Sequence, residues 1–525
     1  MSGMDTTLTD LAQLLRCEGL LDDRTSMHDA DPTDVTGADC DSRVAAPGHV
    51  FICKGAAFRA DYLRDALDMG AVSYLCDATH AGELAAAAPG VPALVAPDGG
   101  LRRAMALVSA EAWGHPDRDL AVLGMTGTKG KSTVANMLRS IFDAGAPADH
   151  PRAAIMGTIA TYDGIESFES HNTTPESPDL WRHIANARTA GLDPMVMEVS
   201  SQALKYNRVD GLELAVGGFL NIGRDHISPI EHPDFEDYFA SKLRIFEHTR
   251  TAVVNLKTDH AAEVLAAAAR CDKVVTFCAG APEAAGRAAD IWADHIEPGG
   301  GTVDFVAHTP AWTATMHLSM PGLFNVDNAL CAIAFALEQG VGRGQIRDGL
   351  AACRVPGRME VVRTSDPRIT AVVDFAHNKM AFENFFPSVR RDFPGRDVIA
   401  VFGAPGCKAQ ERRRELAEVA GAYADHIVVC EDDPGREDPA DICAEIARHI
   451  PDTCPHEIVV DRNAAVERAV RLAKENADEA GRSSVVCLLA KGDDHWMKRP
   501  EGFVPDIQDR ERFARAAAAV GLGVE

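Results

Sequence analysis

The 525-residue chain reads as an α/β protein of three domains, the central one built on a mostly parallel sheet and the last of doubly wound type. Three observations predict this. At about 150 residues per domain the length calls for three or more cores. Strand-like apolar runs alternate with helical periodicity through the middle and the C-terminal third, the signature of βαβ units. Two breaks, Trp113-Gly114-His115-Pro116-Asp117 and Arg354-Val355-Pro356-Gly357-Arg358, carry the Gly and Pro residues of linkers. The expected domains are therefore 1–115, 116–355 and 356–525.

Within the first domain, Val50-Phe51-Ile52-Cys53 and Ala71-Val72-Ser73-Tyr74-Leu75 are short strand candidates between alanine-rich helical stretches. The second opens with a buried-strand run from Leu120, a glycine-rich turn, and a helix on which Val134, Met137, Leu138, Ile141 and Phe142 recur at helical spacing. Further strands are expected at 195–199, 216–220, 251–255 and 273–277. The segment 279–301, rich in Ala, Gly and Glu, reads as a surface insertion, and the residues that follow, to about Ser319, alternate like antiparallel strands. In the third domain strands are expected at 370–374, 398–402, 426–430, 457–460 and 484–489, with helices between them.

Composition narrows the function. Hydrophobic residues at 46% and charged residues at 25% are ordinary for a globular chain, and no apolar run approaches the ~18 residues of a membrane span. Fifty-two basic against 78 acidic side chains leave a net charge of −26, which repels a nucleic-acid backbone or an anionic membrane. No nucleic-acid partner and no membrane insertion are expected. The 13 cysteines are odd in number and never spaced C-x-x-C, which argues for reduced thiols and against a zinc knuckle. With no basic run opening the N-terminus, the expected location is the cytoplasm.

The strongest chemical signal is Gly124-Met125-Thr126-Gly127-Thr128-Lys129-Gly130-Lys131-Ser132-Thr133, between a strand and a helix. It is a P-loop pattern. Glycines let backbone N–H groups turn to phosphate oxygens, the helix N-terminus adds its dipole, Lys131 reaches the β- and γ-phosphates and Ser132 suits Mg²⁺. Its spacing departs from the commonest P-loop, since Met125 stands five before Gly130. A glycine-rich turn in a nucleotide-free domain is the plain alternative.

Five more blocks follow in order: Asn172-Thr173-Thr174-Pro175-Glu176, Glu198-Val199-Ser200-Ser201, Asn221-Ile222-Gly223-Arg224-Asp225-His226, Pro321 to Ala329 (PGLFNVDNA), and Val355-Pro356-Gly357-Arg358-Met359-Glu360. Together with the phosphate loop they resemble the signature blocks of the Mur ligases across nearly the whole chain. Asp41-Ser42-Arg43, the Asn-Thr-Thr-Pro block and Tyr238-Phe239-Ala240-Ser241-Lys242 are most similar to the MurE branch, which uses ATP to add the third residue of a stem peptide. The resemblance implies an N-terminal domain for a uridine nucleotide, a central P-loop ATPase-type domain and a C-terminal Rossmann-like domain. It also implies that UDP-N-acetylmuramoyl-L-alanyl-D-glutamate and a free amino acid are joined through an acyl phosphate, by a protein expected to be a monomer.

Residue by residue, the resemblance implies that Lys131, Glu198, His226 and Lys242 are catalytic. ATP would meet Gly127, Thr128, Lys129, Gly130, Lys131, Ser132 and Thr133, with Asn325, Asn328, Arg358, Asp374 and His377 completing the nucleotide site. Mg²⁺ would be held by Ser132, Glu198, His226 and Lys242, the last carbamylated by CO₂. Read without that frame, Glu198 is a strand-end acid, His226 a surface histidine and Lys242 a helix lysine whose pKa of about 10.4 must fall before it reacts. The UDP-linked substrate is assigned to Ser42, Asn172, Thr173, Thr174, Ser200 and Arg208, and the amino acid to Asp432, Asp433, Arg436, Lys491 and Asp494.

Departures from the pattern carry information. Diaminopimelate-adding members have Asp-Asn-Pro-Arg where this chain has Asp432-Asp433-Pro434-Gly435-Arg436. The pocket gains a carboxylate and loses an in-register cation, which suits an ammonium tip and points to L-lysine or L-ornithine. Arg436 lies one residue out of register, so meso-diaminopimelate stays open as an alternative. So do a Mur-like ligase with another substrate and a nucleotide-binding scaffold without catalysis. Phe402 to Lys408, Gln202, and Leu256-Lys257-Thr258-Asp259 after Asn255 also differ from the family's usual residues.

Overall fold

The computed structural model describes residues 6–27, 31–55, 58–147, 149–170, 172–225, 227–228 and 231–524. The chain forms two compact units, one of Met1–Cys278, Pro282–Ile291 and Cys331–Ile346, the other of Ala279–Ala281, Trp292–Leu330 and Arg347–Glu525.

The first unit begins with a parallel sheet of four strands in sequential order: Gly37–Asp39, His49–Ile52, Ser73–Asp77 and Ala93–Ala96. Parallel strands are buried on both faces, hence their near-continuous apolar runs. One face packs on helices Leu8–Cys17 and Leu101–Ala112 through Leu11, Leu15, Val50, Leu94 and Met105; the other holds Phe51, Leu63, Tyr74 and Leu84. The unit's larger sheet runs Ser167–Glu169, Ala160–Tyr162, Ala154–Met156, Met195–Glu198, Val122–Thr126, Leu214–Phe219, Thr249–Asn255 and Lys273–Ala279. It is parallel from Ala154–Met156 onward, and the first two strands form an antiparallel edge. This arrangement gathers the C-terminal ends of Val122–Thr126, Met195–Glu198 and Leu214–Phe219 at one rim, where α/β folds carry their sites. The four strands expected here from the sequence are present.

The second unit contains an antiparallel meander, Ile291–Pro298, Val303–His308 and Thr313–Leu318. Its main sheet has the order Glu360–Arg363, Ile369–Asp374, Ser484–Leu489, Asp397–Phe402, His426–Val429 and His456–Ile458, all parallel but the first pair. Helices Lys379–Asp392, Glu411–Tyr423 and Pro439–Ala447 cover one face, and Arg462–Ala480 and Asp509–Ala519 the other. A doubly wound layer is the result. One expectation needs correction: 279–301 is not mainly a surface insertion, because it supplies the eight-residue strand Ile291–Pro298 beside a short hairpin. Only Ile291 and Ala293 on that strand are buried, so its alternation is too brief to read. Among the described residues, no helix is long and apolar enough to cross a membrane.

Candidate active site

Strand Val122–Thr126 ends in the glycine loop, and helix Lys131–Asp143 starts from Gly130, whose φ of +89° is left-handed. Only glycine takes that turn without strain. Lys131 folds back so that Nζ donates to the Gly127 carbonyl at 2.8 Å. The loop is braced by the strand end that follows Leu214–Phe219. Thr128 N–H donates to the Asn221 carbonyl at 3.0 Å, Lys129 N–H donates to Asn221 Oδ1 at 2.9 Å, and Asn221 Nδ2 returns a bond to the Lys129 carbonyl at 3.0 Å. Lys129 Nζ pairs with Asp225 at 3.2 Å. A Cβ on Gly127 would stand 2.9 Å from Leu220 Cβ, so both ends of the loop require glycine. Ser132 and Thr133 are buried in the first turn of the helix.

Helix Phe235–Leu243 lies against this loop and carries Lys242, which is 2% exposed. Its Nζ donates to the same Gly127 carbonyl at 3.0 Å and stands 4.8 Å from the centre of the Tyr238 ring. Burial, and after it the charge of Lys131, push the Lys242 amine well below the ordinary lysine pKa against the pull of Asp225. Tyr238, fully buried, places its hydroxyl 3.1 Å from Thr128 Oγ1. The sequence placed it in the Tyr238–Lys242 block without a role of its own; its place four residues before Lys242 sets both on one helix face.

On the neighbouring strand end, Glu198 is 2% exposed and its carboxylate is fixed by Thr158, whose N–H reaches Oε1 at 2.8 Å and whose Oγ1 reaches Oε2 at 3.1 Å. Thr158 Oγ1 also meets Thr173 Oγ1 at 3.0 Å. The Thr174 hydroxyl donates to the Glu198 carbonyl at 2.8 Å and accepts from Ser200 N–H at 3.0 Å, and Ser200 caps helix Ser201–Lys205. Arg208 donates to the Thr174 carbonyl at 2.9 Å and pairs with Glu176 at 2.7 Å, a carboxylate that Lys54 of the smaller sheet also reaches at 3.1 Å. Thus Thr173, Thr174, Ser200 and Arg208 form one hydrogen-bonded group around Glu198. Asn172 is exposed beside it, and Ser42 sits half-buried in the turn after Gly37–Asp39. His226 lies outside the described residues. Thr158 and Lys54 escaped sequence reasoning, and Glu176 was read only as part of its block, since nothing local marks a residue whose partner lies tens of positions away.

In the second unit Asn325 and Asn328 are buried at the start of helix Phe324–Glu338; Asn325 Nδ2 donates to the Pro321 carbonyl at 2.7 Å and Asn328 Nδ2 to Asn325 Oδ1 at 2.9 Å. Asp374 accepts from Met359 N–H at 2.7 Å and Ala376 N–H at 2.8 Å. His377 Nδ1 lies 2.7 Å from the Phe375 carbonyl, and the Arg358 guanidinium covers the Phe375 ring at 4.4 Å. Arg358, Asp374 and His377 therefore share one strand end. The residues assigned to the amino acid converge on the same C-terminal rim of the sheet, after strands His426–Val429 and Ser484–Leu489. Asp432 is 6% and Lys491 1% exposed, and Lys491 Nζ meets Asp433 Oδ1 at 3.0 Å and Asp494 Oδ2 at 3.2 Å. Burial and neighbouring Asp433 raise the pKa of Asp432, and burial raises that of Asp494. Arg436 is exposed. The carboxylate the pocket gains, Asp433, is paired with Lys491.

The comparisons with known proteins agree with one another. Residues 125–336 match the Mur ligase middle domain and residues 357–492 the Mur ligase, glutamate ligase domain. The chain is 36% identical over 470 residues to the UDP-N-acetylmuramoyl-L-alanyl-D-glutamate–L-lysine ligase of Enterococcus faecalis, covering 89% of this chain and 88% of that protein. Among solved structures it resembles a UDP-N-acetylmuramoyl-L-alanyl-D-glutamate–2,6-diaminopimelate ligase, with a TM-score of 0.64 at 21% identity over 98% of this chain and 99% of that one. It also resembles the MurF ligase of Thermotoga maritima in complex with ADP, with a TM-score of 0.59 at 17% identity over 92% and 97% of the two chains. The class is that of ATP-dependent, ADP-forming amide ligases. The chain belongs to the Mur ligase family.

Proposed function

We propose that the chain joins L-lysine to the D-glutamyl carboxylate of UDP-N-acetylmuramoyl-L-alanyl-D-glutamate, converting ATP to ADP and phosphate, in the building of peptidoglycan precursors in the cytoplasm. The observation that carries this reading is the similarity, over 89% of the chain, to a ligase named for that reaction, in a chain that places acids at 432, 433 and 494. Its working parts are 1–115 for the UDP end, 116–355 for ATP and the dipeptide, and 356–525 for the amino acid.

The reaction passes a phosphoryl group from ATP to a carboxylate, and an amine then displaces phosphate from the acyl phosphate. Each step gathers negative charge, and the chain meets it with cations and N–H donors. Gly127, Thr128, Lys129, Gly130, Lys131, Ser132 and Thr133 cradle the phosphates. Asn325, Asn328, Arg358, Asp374 and His377 bind the rest of the nucleotide. Ser42, Asn172, Thr173, Thr174, Ser200 and Arg208 hold the UDP-linked dipeptide, and the braced Glu198 carboxylate keeps the reacting end in place. The residues present suit Mg²⁺: the buried carboxylate of Glu198 and the Ser132 hydroxyl are oxygen donors, His226 would add a nitrogen, and burial lowers the pKa of Lys242, which favours the neutral amine that takes up CO₂ as a carbamate. Bound there, Mg²⁺ would neutralise charge on the phosphates.

The test is ADP release with the UDP-linked dipeptide and, separately, L-lysine, L-ornithine and meso-diaminopimelate, each product weighed by mass spectrometry. Lysine-dependent turnover that Lys131→Ala reduces by at least about a hundredfold is expected. Silence with every amino acid would overturn the proposal. In the same protein, ¹³CO₂ should give a carbamate resonance that Lys242→Ala lacks.

A further inference from the structure

One mostly buried carboxylate gathers cations from three separate stretches of the first unit. Glu176, at the N-terminus of helix Ser177–Ala190, stands 2.7 Å from Arg208, 3.1 Å from Lys54 and 4.0 Å from Arg102. Lys54 follows strand His49–Ile52 of the smaller sheet, and Arg102 lies in the first turn of helix Leu101–Ala112, which packs on that sheet. Arg208 belongs to the turn before strand Leu214–Phe219 of the larger sheet. Burial opposes the ionisation of Glu176, but the charges of Arg208, Lys54 and Arg102 outweigh it and hold the pKa below the ordinary carboxylate value. The same two parts are fastened twice more beside Arg208: the Arg102 guanidinium covers the Tyr206 ring at 4.5 Å, and Arg103 meets Asp210 at 3.5 Å. Arg208 gives one terminal nitrogen to the Thr174 carbonyl at 2.9 Å and the other to Glu176, while its Nε is buried with no hydrogen-bond partner among the described residues. An arginine carries five N–H donors in a rigid fork, so this one is aimed by the chain and keeps donors for an oxygen that the chain does not supply.

Resting on the ligase reading above, in which Arg208 holds the UDP-linked dipeptide, we propose that Glu176 is a positioning residue: it sets the direction of the Arg208 guanidinium and, through Lys54 and Arg102, ties that grip to the smaller sheet on the uridine side. The substrate is anionic at both ends, a diphosphate on one side and carboxylates on the other. Two grips at a fixed separation hold such a molecule with little freedom left to lose. A carboxylate shared by cations from both parts fixes that separation, keeps the cations from repelling one another, and leaves the group net positive for an anionic ligand. Glu176 touches none of the reacting atoms; its effect passes through Arg208.

Glu176→Gln isolates the effect, because the amide keeps the shape and an acceptor oxygen while the charge is gone. With ATP and whichever amino acid the parent protein uses, KM for UDP-N-acetylmuramoyl-L-alanyl-D-glutamate is expected to rise at least about tenfold. In the same variant kcat should change by less than about threefold, and KM for ATP and for the amino acid should stay as in the parent, the pattern of a lost grip on one substrate. Lys54→Gln should raise the same KM, and joining it to Glu176→Gln should add little, because both changes break one link. Lys54→Gln alone carries the test if Glu176→Gln fails to fold. A folded Glu176→Gln protein with an unchanged KM for the UDP-linked dipeptide overturns the inference and spares the ligase reading. So does one in which kcat and every KM worsen together, and so does full additivity of the two substitutions. A parent that releases no ADP with L-lysine, L-ornithine or meso-diaminopimelate overturns the ligase reading itself.

Discussion

Glu198 illustrates how a single side chain acquires a role from its neighbours. A strand-end glutamate is ordinarily solvated, yet here both carboxylate oxygens are bonded by Thr158 and the group is sealed from solvent. Gly157 makes room for it: a Cβ there would stand 2.4 Å from Oε1. Gly157→Ala should therefore displace the carboxylate without touching the phosphate loop. We expect turnover to fall by roughly ten- to a hundredfold while the thermal shift produced by ADP persists, both readable on one preparation. Lys131 was legible as part of the glycine loop because its partners are its own chain neighbours. Tyr238 was not, because the hydroxyl it meets belongs to Thr128, 110 positions earlier.

At the scale of elements, the edge hairpin Ala160–Tyr162/Ser167–Glu169 is pinned to helix Ser177–Ala190 by a buried carboxylate. Asp163 accepts from Ile165 N–H at 2.9 Å, Glu166 N–H at 2.6 Å and Asn186 Nδ2 at 2.9 Å, and lies 2.6 Å from His183 Nδ1. Burial works against its ionisation, but these hydrogen bonds, that of His183 foremost, outweigh it and bring the pKa down to about 2. A carboxylate whose folded pKa is depressed stabilises the fold above its unfolded value, near 3.8, and the contribution is lost as pH falls through about 2. Asp163→Asn should cost about 2 kcal/mol near neutrality. The gap between variant and parent should narrow between pH 4 and pH 2, as urea unfolding across that range would show.

For the whole molecule, two compact units with separate cores predict more than one calorimetric transition, since cooperative unfolding follows the core and not the chain. ADP at a hundred times its dissociation constant should add about 2.7 kcal/mol to the unit carrying the phosphate loop, and Lys131→Ala should abolish the shift. Loss of the shift in the parent protein would remove the loop from nucleotide binding.

The amino-acid sequence by itself determined what depends on short stretches of chain: the α/β class, the doubly wound third part, the strand–glycine loop–helix unit, and the ordered blocks that carry the family resemblance. Each rests on hydrophobic period or on a backbone turn that only certain residues allow. The tertiary structure alone decided what long-range packing makes. It buried Lys242 beside the phosphate loop, braced Glu198 with Thr158, drew a strand from 291–298, and spent Asp433 on Lys491. These outcomes turn on desolvation and on hydrogen bonds between residues far apart in sequence, whose strength exists only once folding has removed water and set the distances.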